Sequence, residues 1–187
     1  DLDDAIRGIM YSAFGFSGQK CSACSRILAV GDNYGPLVER LSLAISDILI
    51  GPASEPSTLV GPVIDLESKE RIERTISQGR ETLKIAAQAN VPLELKENGN
   101  FVTPTLFVDV PTDHPIWIEE IFGPVIACRH VNTFEEALKL ATDSQYALTG
   151  GVFTRSPSNL ELAKREFRVG NLYLNRGCTG ALVGRQP

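Results

Sequence analysis

The sequence has no apolar run approaching the ~20 residues that span a bilayer. It opens on Asp1, Leu2, Asp3 and Asp4, the reverse of the basic leader of a secretory signal. Both absences lead to the expectation of a soluble protein of the cytoplasm. Basic charge is also in deficit: 18 Lys and Arg against 23 Asp and Glu leave a formal charge of −5. The cations are scattered among acidic neighbours, so a polyanion finds no patch to grip and no nucleic-acid partner is expected through this domain. Cysteine is scarce. Four in 187 residues, unevenly placed at 21, 24, 128 and 178, do not make a disulfide-stapled module, and reduced thiols are expected. Cys21 and Cys24 have the spacing of a metal or redox pair. Tetrahedral zinc, however, needs about four ligands, and His114, His130, Cys128 and Cys178 each stand alone. A thioredoxin-type pair usually follows a strand, whereas here a helix precedes it. Neither a repeat nor a Gly-x-Gly-x-x-Gly turn is present.

The chain is 43% hydrophobic and 22% charged, the balance of a folded globular protein. Its length suits one domain, residues 1–187, with a sizeable core. Leu2, Ile6, Ile9 and Ala13 stand at helical spacing before a Gly-rich break at 15–18. Residues 26–30 form a short apolar run that predicts a strand, followed by a helix carrying Leu37, Leu41, Ala44, Ile45 and Ile48. Residues 51–65 are rich in Gly, Pro and Ser and read as a surface connection. A charged helix is predicted over 66–88, with Ile72, Ile76, Leu83 and Ala87 on one face. Residues 91–95 and 101–110 read as strands, which their prolines assign to sheet edges. A cleaner strand is predicted over 125–131.

Thr133 and Glu136 have the spacing of a capping box, opening a helix with Phe134, Ala137, Leu138 and Ala141 on one face. A strand at 151–154, a helix opened by Ser156 and Pro157, and a strand at 170–174 complete the pattern. Alternating strand and helix predict an α/β fold, a largely parallel sheet with helices on both faces. In such folds ligands gather at strand ends.

Cys21 follows a glycine-rich turn and stands beside Lys20. Such a thiol can be exposed, its thiolate favoured by the positive charge and by free amides if a helix begins after it. Those are the requirements of a nucleophile, although small cysteines also serve as buried packing residues. Residues 18–21, Gly-Gln-Lys-Cys, with Ser22, Ala23, Ser25 and Arg26 after them, resemble the active-site signature of the aldehyde dehydrogenase superfamily. Residues 119–125, Glu-Glu-Ile-Phe-Gly-Pro-Val, resemble its second signature, in the family's order. Residues 146–154 resemble a further block, so the likeness spans essentially the whole chain. The segment 170–187 resembles the branch that oxidises glutamate semialdehyde, the open form of 1-pyrroline-5-carboxylate. Within it the likeness is to the dehydrogenase part of the bifunctional bacterial proline-utilisation enzymes.

The resemblance implies that Cys21 attacks the aldehyde through a thiohemiacetal and a thioester, and that Ser22, Gly180 and Ala181 hold the substrate α-carboxylate. Amides of a Thr-Gly-Ala turn suit a carboxylate; without the resemblance Gly180 belongs to a plain surface turn. It implies that Glu120 and Phe122 meet the nicotinamide ribose of NAD, with NADP the alternative; read alone, Glu119 and Glu120 are solvated charges. The family's dinucleotide fingerprint, its Glu-Leu-Gly-Gly general base and its oxyanion-hole asparagine have no counterpart in this sequence. The chain therefore reads as a piece that folds yet binds NAD weakly and turns over negligibly, its NAD-binding domain and oligomerisation strand lying elsewhere in a longer chain. Implied partners are that domain, an aldehyde substrate, a fused proline dehydrogenase domain and, at full length, further copies of the protein. Two alternatives stay open: an aldehyde dehydrogenase of other substrate preference, and a non-catalytic binding domain in which Cys21 is buried or paired with Cys24. Cys24 departs from the small residue more usual in the wider superfamily but fits the proline-utilisation branch, and its role stays open.

Overall fold

The computed structural model describes residues 1–181 and 184; the rest of the segment 170–187 lies outside the described residues. Its elements alternate as the sequence predicts: α1 (Leu2–Phe14), β1 (Arg26–Val30), α2 (Tyr34–Ser46), α3 (Leu66–Thr82), β2 (Lys84–Gln88), α4 (Leu93–Asn98), β3 (Thr105–Val108), α5 (Pro115–Ile118), β4 (Val125–Val131), α6 (Phe134–Thr142), β5 (Thr149–Val152), α7 (Pro157–Glu166) and β6 (Asn171–Leu174). A four-stranded sheet has the order β1-β4-β3-β2, and β5 pairs with β6 in a separate parallel sheet. β1, β4 and β3 run parallel, with β2 antiparallel at one edge.

The pleat divides the core. Leu106, Val108, Ile126 and Cys128 face one way, against Phe14 of α1 and Leu37, Leu41 and Ile45 of α2. Phe107, Val125 and Ala127 face the other, against Ile72 and Ile76 of α3 and against Ile116 and Trp117 of α5. Successive strand residues point to opposite faces, so these buried runs place helices on both sides of the sheet, as expected. Full burial of a side chain such as Phe107 contributes roughly 1.5–3 kcal/mol.

Helix starts follow their caps. The Thr133 hydroxyl accepts from the Glu136 N–H at 3.1 Å, and the Glu136 carboxylate accepts from the Asn132 N–H at 2.8 Å, one residue before the cap. Ser156 caps α7 ahead of Pro157. Among the described residues no helix is long and apolar enough to cross a membrane.

Three expectations are corrected. The helix predicted over 66–88 ends at Thr82, where Leu83 turns to extended backbone. Residues 84–88 then pair with β3 through a bulge between Ile85 and Ala87 that keeps Ala87 buried. Their Lys, Ala and Gln residues have good helix propensity, and pairing overrides it. Residues 91–95 are not a strand: Pro92 precedes the short α4, and Leu93 is exposed. The edge assignment of 101–110 also fails. β3 lies between β4 and β2 with all four residues buried, because Pro104 and Pro111 fall outside the hydrogen-bonded Thr105–Val108.

A cleft of about 650 Å³ separates β1 from β5 and is lined by Cys24, Arg26, Trp117, Gly151 and Cys178 among others. Cys21, Ser22, Glu120 and Phe122 do not line it.

Candidate active site

The loop carrying Cys21 is shaped before the cysteine is reached. After α1 the chain makes a tight turn in which Phe16 and Ser17 both take left-handed backbone angles, φ 55° and 57°. Each such residue costs of order 1–2 kcal/mol, and the surroundings offset it. Ser17 is buried and its hydroxyl donates to the Gly61 carbonyl at 2.8 Å. Gly18 follows with φ +69°, and a Cβ there would lie 2.3 Å from the Gly123 carbonyl oxygen. Only glycine fits. The Gln19 side-chain oxygen accepts from the Ile64 N–H at 2.9 Å, and the Ala23 N–H closes a turn on the Lys20 carbonyl at 3.0 Å. Cys21 sits on this turn as an exposed, unpaired thiol.

No helix begins after Cys21; the turn runs into β1. The Lys20 ammonium stands 4.7 Å from the Phe16 ring centroid and 5.8 Å from that of Tyr11, held over aromatic faces.

The close approach of Gly18 to Gly123 brings the second predicted segment to the first. Ile121 is buried in the α3-side core, and its carbonyl accepts from the Arg71 guanidinium. That anchor leaves Glu120 exposed and Phe122 38% exposed, Phe122 with φ 51°. A solvent-facing carboxylate, which accepts hydrogen bonds, and an aromatic ring beside the Cys21 loop fit the hydroxyls of a ribose and the edge of a nicotinamide. The Cys21 turn enters β1, and residues 119–124 enter β4, its parallel partner. This arrangement lies at the amino ends of the strands, whereas open α/β sheets usually bind at the carboxyl ends.

The third segment follows β6. Gly180 has φ +85° and, like Ala181, is exposed. The turn reaches the Cys21 loop at Ser22, whose carbonyl accepts from the Cys178 thiol at 3.7 Å and from the Thr149 hydroxyl at 3.4 Å. Behind it, Ser12 of α1 bonds both loops: its carbonyl accepts from the Cys24 N–H at 3.1 Å and its hydroxyl from the Cys178 N–H at 3.0 Å. Ser22 and Cys178, two residues before Gly180, are thus tied together, and Gly123 is seated against Gly18.

Sequence reasoning missed Ser12, Thr149 and Cys178. The available signal was a serine on the apolar stripe of α1, where Ala5, Ile9 and Ala13 are buried with it.

The other thiols differ sharply. Cys24 and Cys178 are neighbours: the Cys24 thiol lowers the Cys178 pKa, and the Cys178 side chain, with burial, raises that of Cys24. Burial pushes Cys128 up to about 12. Among the described residues no three His, Cys, Asp or Glu side chains cluster to hold a metal ion.

The chain is similar to known proteins over its whole length. The chain is 44% identical over all 187 residues to 1-pyrroline-5-carboxylate dehydrogenase of Geobacillus thermodenitrificans, and 41% identical to that of Bacillus subtilis. It spans only 36% of the length of either relative. Among solved structures it superimposes on proline utilization A (PutA) from Bdellovibrio bacteriovorus inactivated by N-propargylglycine with a TM-score of 0.95 at 47% identity, covering 100% of this chain and 19% of that one. On 1-pyrroline-5-carboxylate dehydrogenase from Thermus with bound NAD the TM-score is 0.91 at 42% identity, covering 100% and 36%. The aldehyde dehydrogenase family pattern matches residues 1–187, and the chain belongs to the aldehyde dehydrogenase family.

Proposed function

We propose that the full-length protein containing this chain oxidises L-glutamate γ-semialdehyde, the open form of 1-pyrroline-5-carboxylate, to L-glutamate, with Cys21 as nucleophile and NAD as acceptor. The observation that carries this reading is the exposed Cys21 thiol, on a turn tied on one side to residues 119–124 and on the other to the Cys178–Ala181 turn. Its support among relatives is the shared name of the 1-pyrroline-5-carboxylate dehydrogenases.

The Cys21 thiolate forms a C–S bond to the aldehyde carbon, and the carbonyl oxygen becomes the oxyanion of a thiohemiacetal. The Cys21 backbone N–H is a donor for that oxyanion. Its collapse to a thioester expels hydride from the same carbon; NAD, when bound, accepts it. Glu120 accepts from the ribose hydroxyls and Phe122 packs against the cofactor edge. Water then cleaves the C–S bond, releasing the acid and restoring the thiol. Ser22, Gly180 and Ala181 hold the α-carboxylate through a hydroxyl and backbone amides, which needs no cationic side chain.

NADP is the alternative acceptor. The isolated chain is expected to bind NAD weakly and to turn over negligibly. The PutA neighbour supports a fused proline dehydrogenase domain, and we place the full-length protein in the cytoplasm as a homo-oligomer. The test is NADH formation by the full-length protein with glutamate semialdehyde and with propanal. Cys21→Ser is expected to lower kcat by about a thousandfold or more; activity surviving that change removes the nucleophile. Activity confined to propanal keeps the family and overturns the substrate.

A further inference from the structure

We propose that Ser12 is a positioning residue that sets selectivity for a carboxylate-bearing aldehyde, by holding the Cys178–Ala181 turn in register with Cys21 and Ser22. This rests on the reading that Ser22, Gly180 and Ala181 receive a carboxylate.

Ser12 lies in the last turn of α1 and is 1% exposed. Its carbonyl falls where a helix end leaves acceptors without partners inside the helix, and it takes the Cys24 N–H at 3.1 Å. Its hydroxyl takes the N–H of Cys178, 166 residues further along, at 3.0 Å. Two atoms of one buried residue therefore fix the two backbone segments that the proposed carboxylate must bridge.

The remaining ties are weaker. The Thr149 hydroxyl reaches the Ser22 carbonyl at 3.4 Å, long for an O–H donor, and the Cys178 thiol, 3.7 Å from the same carbonyl, is a weak donor. The turn also sits directly on α1: a Cβ at Gly177 would lie 2.7 Å from the Ser12 hydroxyl oxygen and 3.2 Å from the Gly8 carbonyl oxygen. Gly177 is thus what lets the Ser12 bond form.

The Cys21 turn has its own supports in Ser17, Gln19 and the Lys20–Ala23 bond. Releasing Ser12 from Cys178 displaces the carboxylate turn and leaves the nucleophile in place. A carboxylate shared between two segments loses affinity when their separation drifts by a fraction of an ångström. An aldehyde without a carboxylate is indifferent to that drift.

In the full-length protein, Ser12→Ala removes the hydroxyl and keeps a good helix former. We expect KM for glutamate semialdehyde to rise about tenfold, equivalent to about 1.4 kcal/mol, with kcat and the kinetics on propanal within about twofold. Gly177→Ala, which pushes the turn off α1 with Ser12 intact, is expected to give the same split. Amide exchange of residues 176–181, read by mass spectrometry, is expected to accelerate about tenfold in both variants. Equal losses on both aldehydes, a fall in kcat with KM unchanged, or unchanged exchange at 176–181 overturns the proposal. A wild-type protein that does not prefer the semialdehyde removes the carboxylate reading, and with it the selectivity assigned to Ser12. A preserved wild-type preference with KM unchanged in Ser12→Ala removes the role of Ser12 alone.

Discussion

β3 and β4 run between two apolar layers in which Leu106, Phe107 and Ile126 are completely buried. The β5–β6 pair has a far smaller core, in which Leu138, Val152 and Ala163 are the buried members and Gly151 is exposed. The large sheet is fixed by burial, which is non-directional and spread over many side chains. The small pair meets the Cys21 loop and α1 through individual hydrogen bonds at Thr149 and Cys178. The proposed nucleophile rides on the first body and the proposed carboxylate turn on the second. Polar changes at the seam are therefore expected to alter selectivity while leaving the fold intact.

The sharpest way to break this comparison is to weaken each core in turn. Phe107→Ala is expected to cost about 3–5 kcal/mol and to unfold the whole sheet, whereas Leu138→Ala costs about 2 kcal/mol and loosens β5–β6 alone. Amide exchange resolved by element checks both, and β3 and β4 loosening equally in the two variants would show one cooperative core. The thiols give the next largest contrast. Cys128 in the sheet, with its pKa pushed up to about 12, stays protonated at neutral pH, whereas the neighbouring Cys24 thiol lowers Cys178. The thiolate of Cys178 is lost only as pH falls through that lowered pKa. At pH 8 iodoacetamide is expected to modify Cys178 about a hundredfold faster than Cys128, as peptide mapping would reveal; equal rates would put Cys178 in as dry a site as Cys128. Thr149→Val removes one long bond across the seam and is expected to cost about 0.5–1 kcal/mol in the opening of β5–β6. Least consequential is Lys164→Ala, which breaks an exposed pair with Glu161 on α7; about 0.2–0.5 kcal/mol or less is expected in thermal unfolding.

What was legible in the sequence was local. The Thr133 and Ser156 caps, the apolar runs of β1 and β4 and the glycine-rich turn before Cys21 all act over a few residues, and each stands where the sequence placed it. Apart from residues 91–95, where Pro92 opens a short helix, the failures are long-range. Residues 84–88 have helical composition and become a strand because β3 offers an edge. Residues 105–108 are interior because their prolines lie just outside the ladder. At the site, the glycine at 18 reads as a turn former, but its necessity comes from the Gly123 carbonyl, far along the chain. Ser12 went unread in the sequence, because its meaning depends on a segment that follows the last strand. The family resemblance supplied the candidate residues around Cys21; the ties behind them come from tertiary structure.

The 166-residue separation between Ser12 and Cys178 also bears on when this site comes into being. Contacts between distant parts of a chain carry the loop-closure cost before they return any stability, so they form late. During synthesis α1 and the Cys21 loop emerge before the large sheet, while the Cys178 segment they await is made after every strand of that sheet. The Cys21 thiol, the proposed nucleophile, is therefore present before its surroundings are complete, and a chain arrested before β6 holds that thiol with the Cys178 segment still unmade.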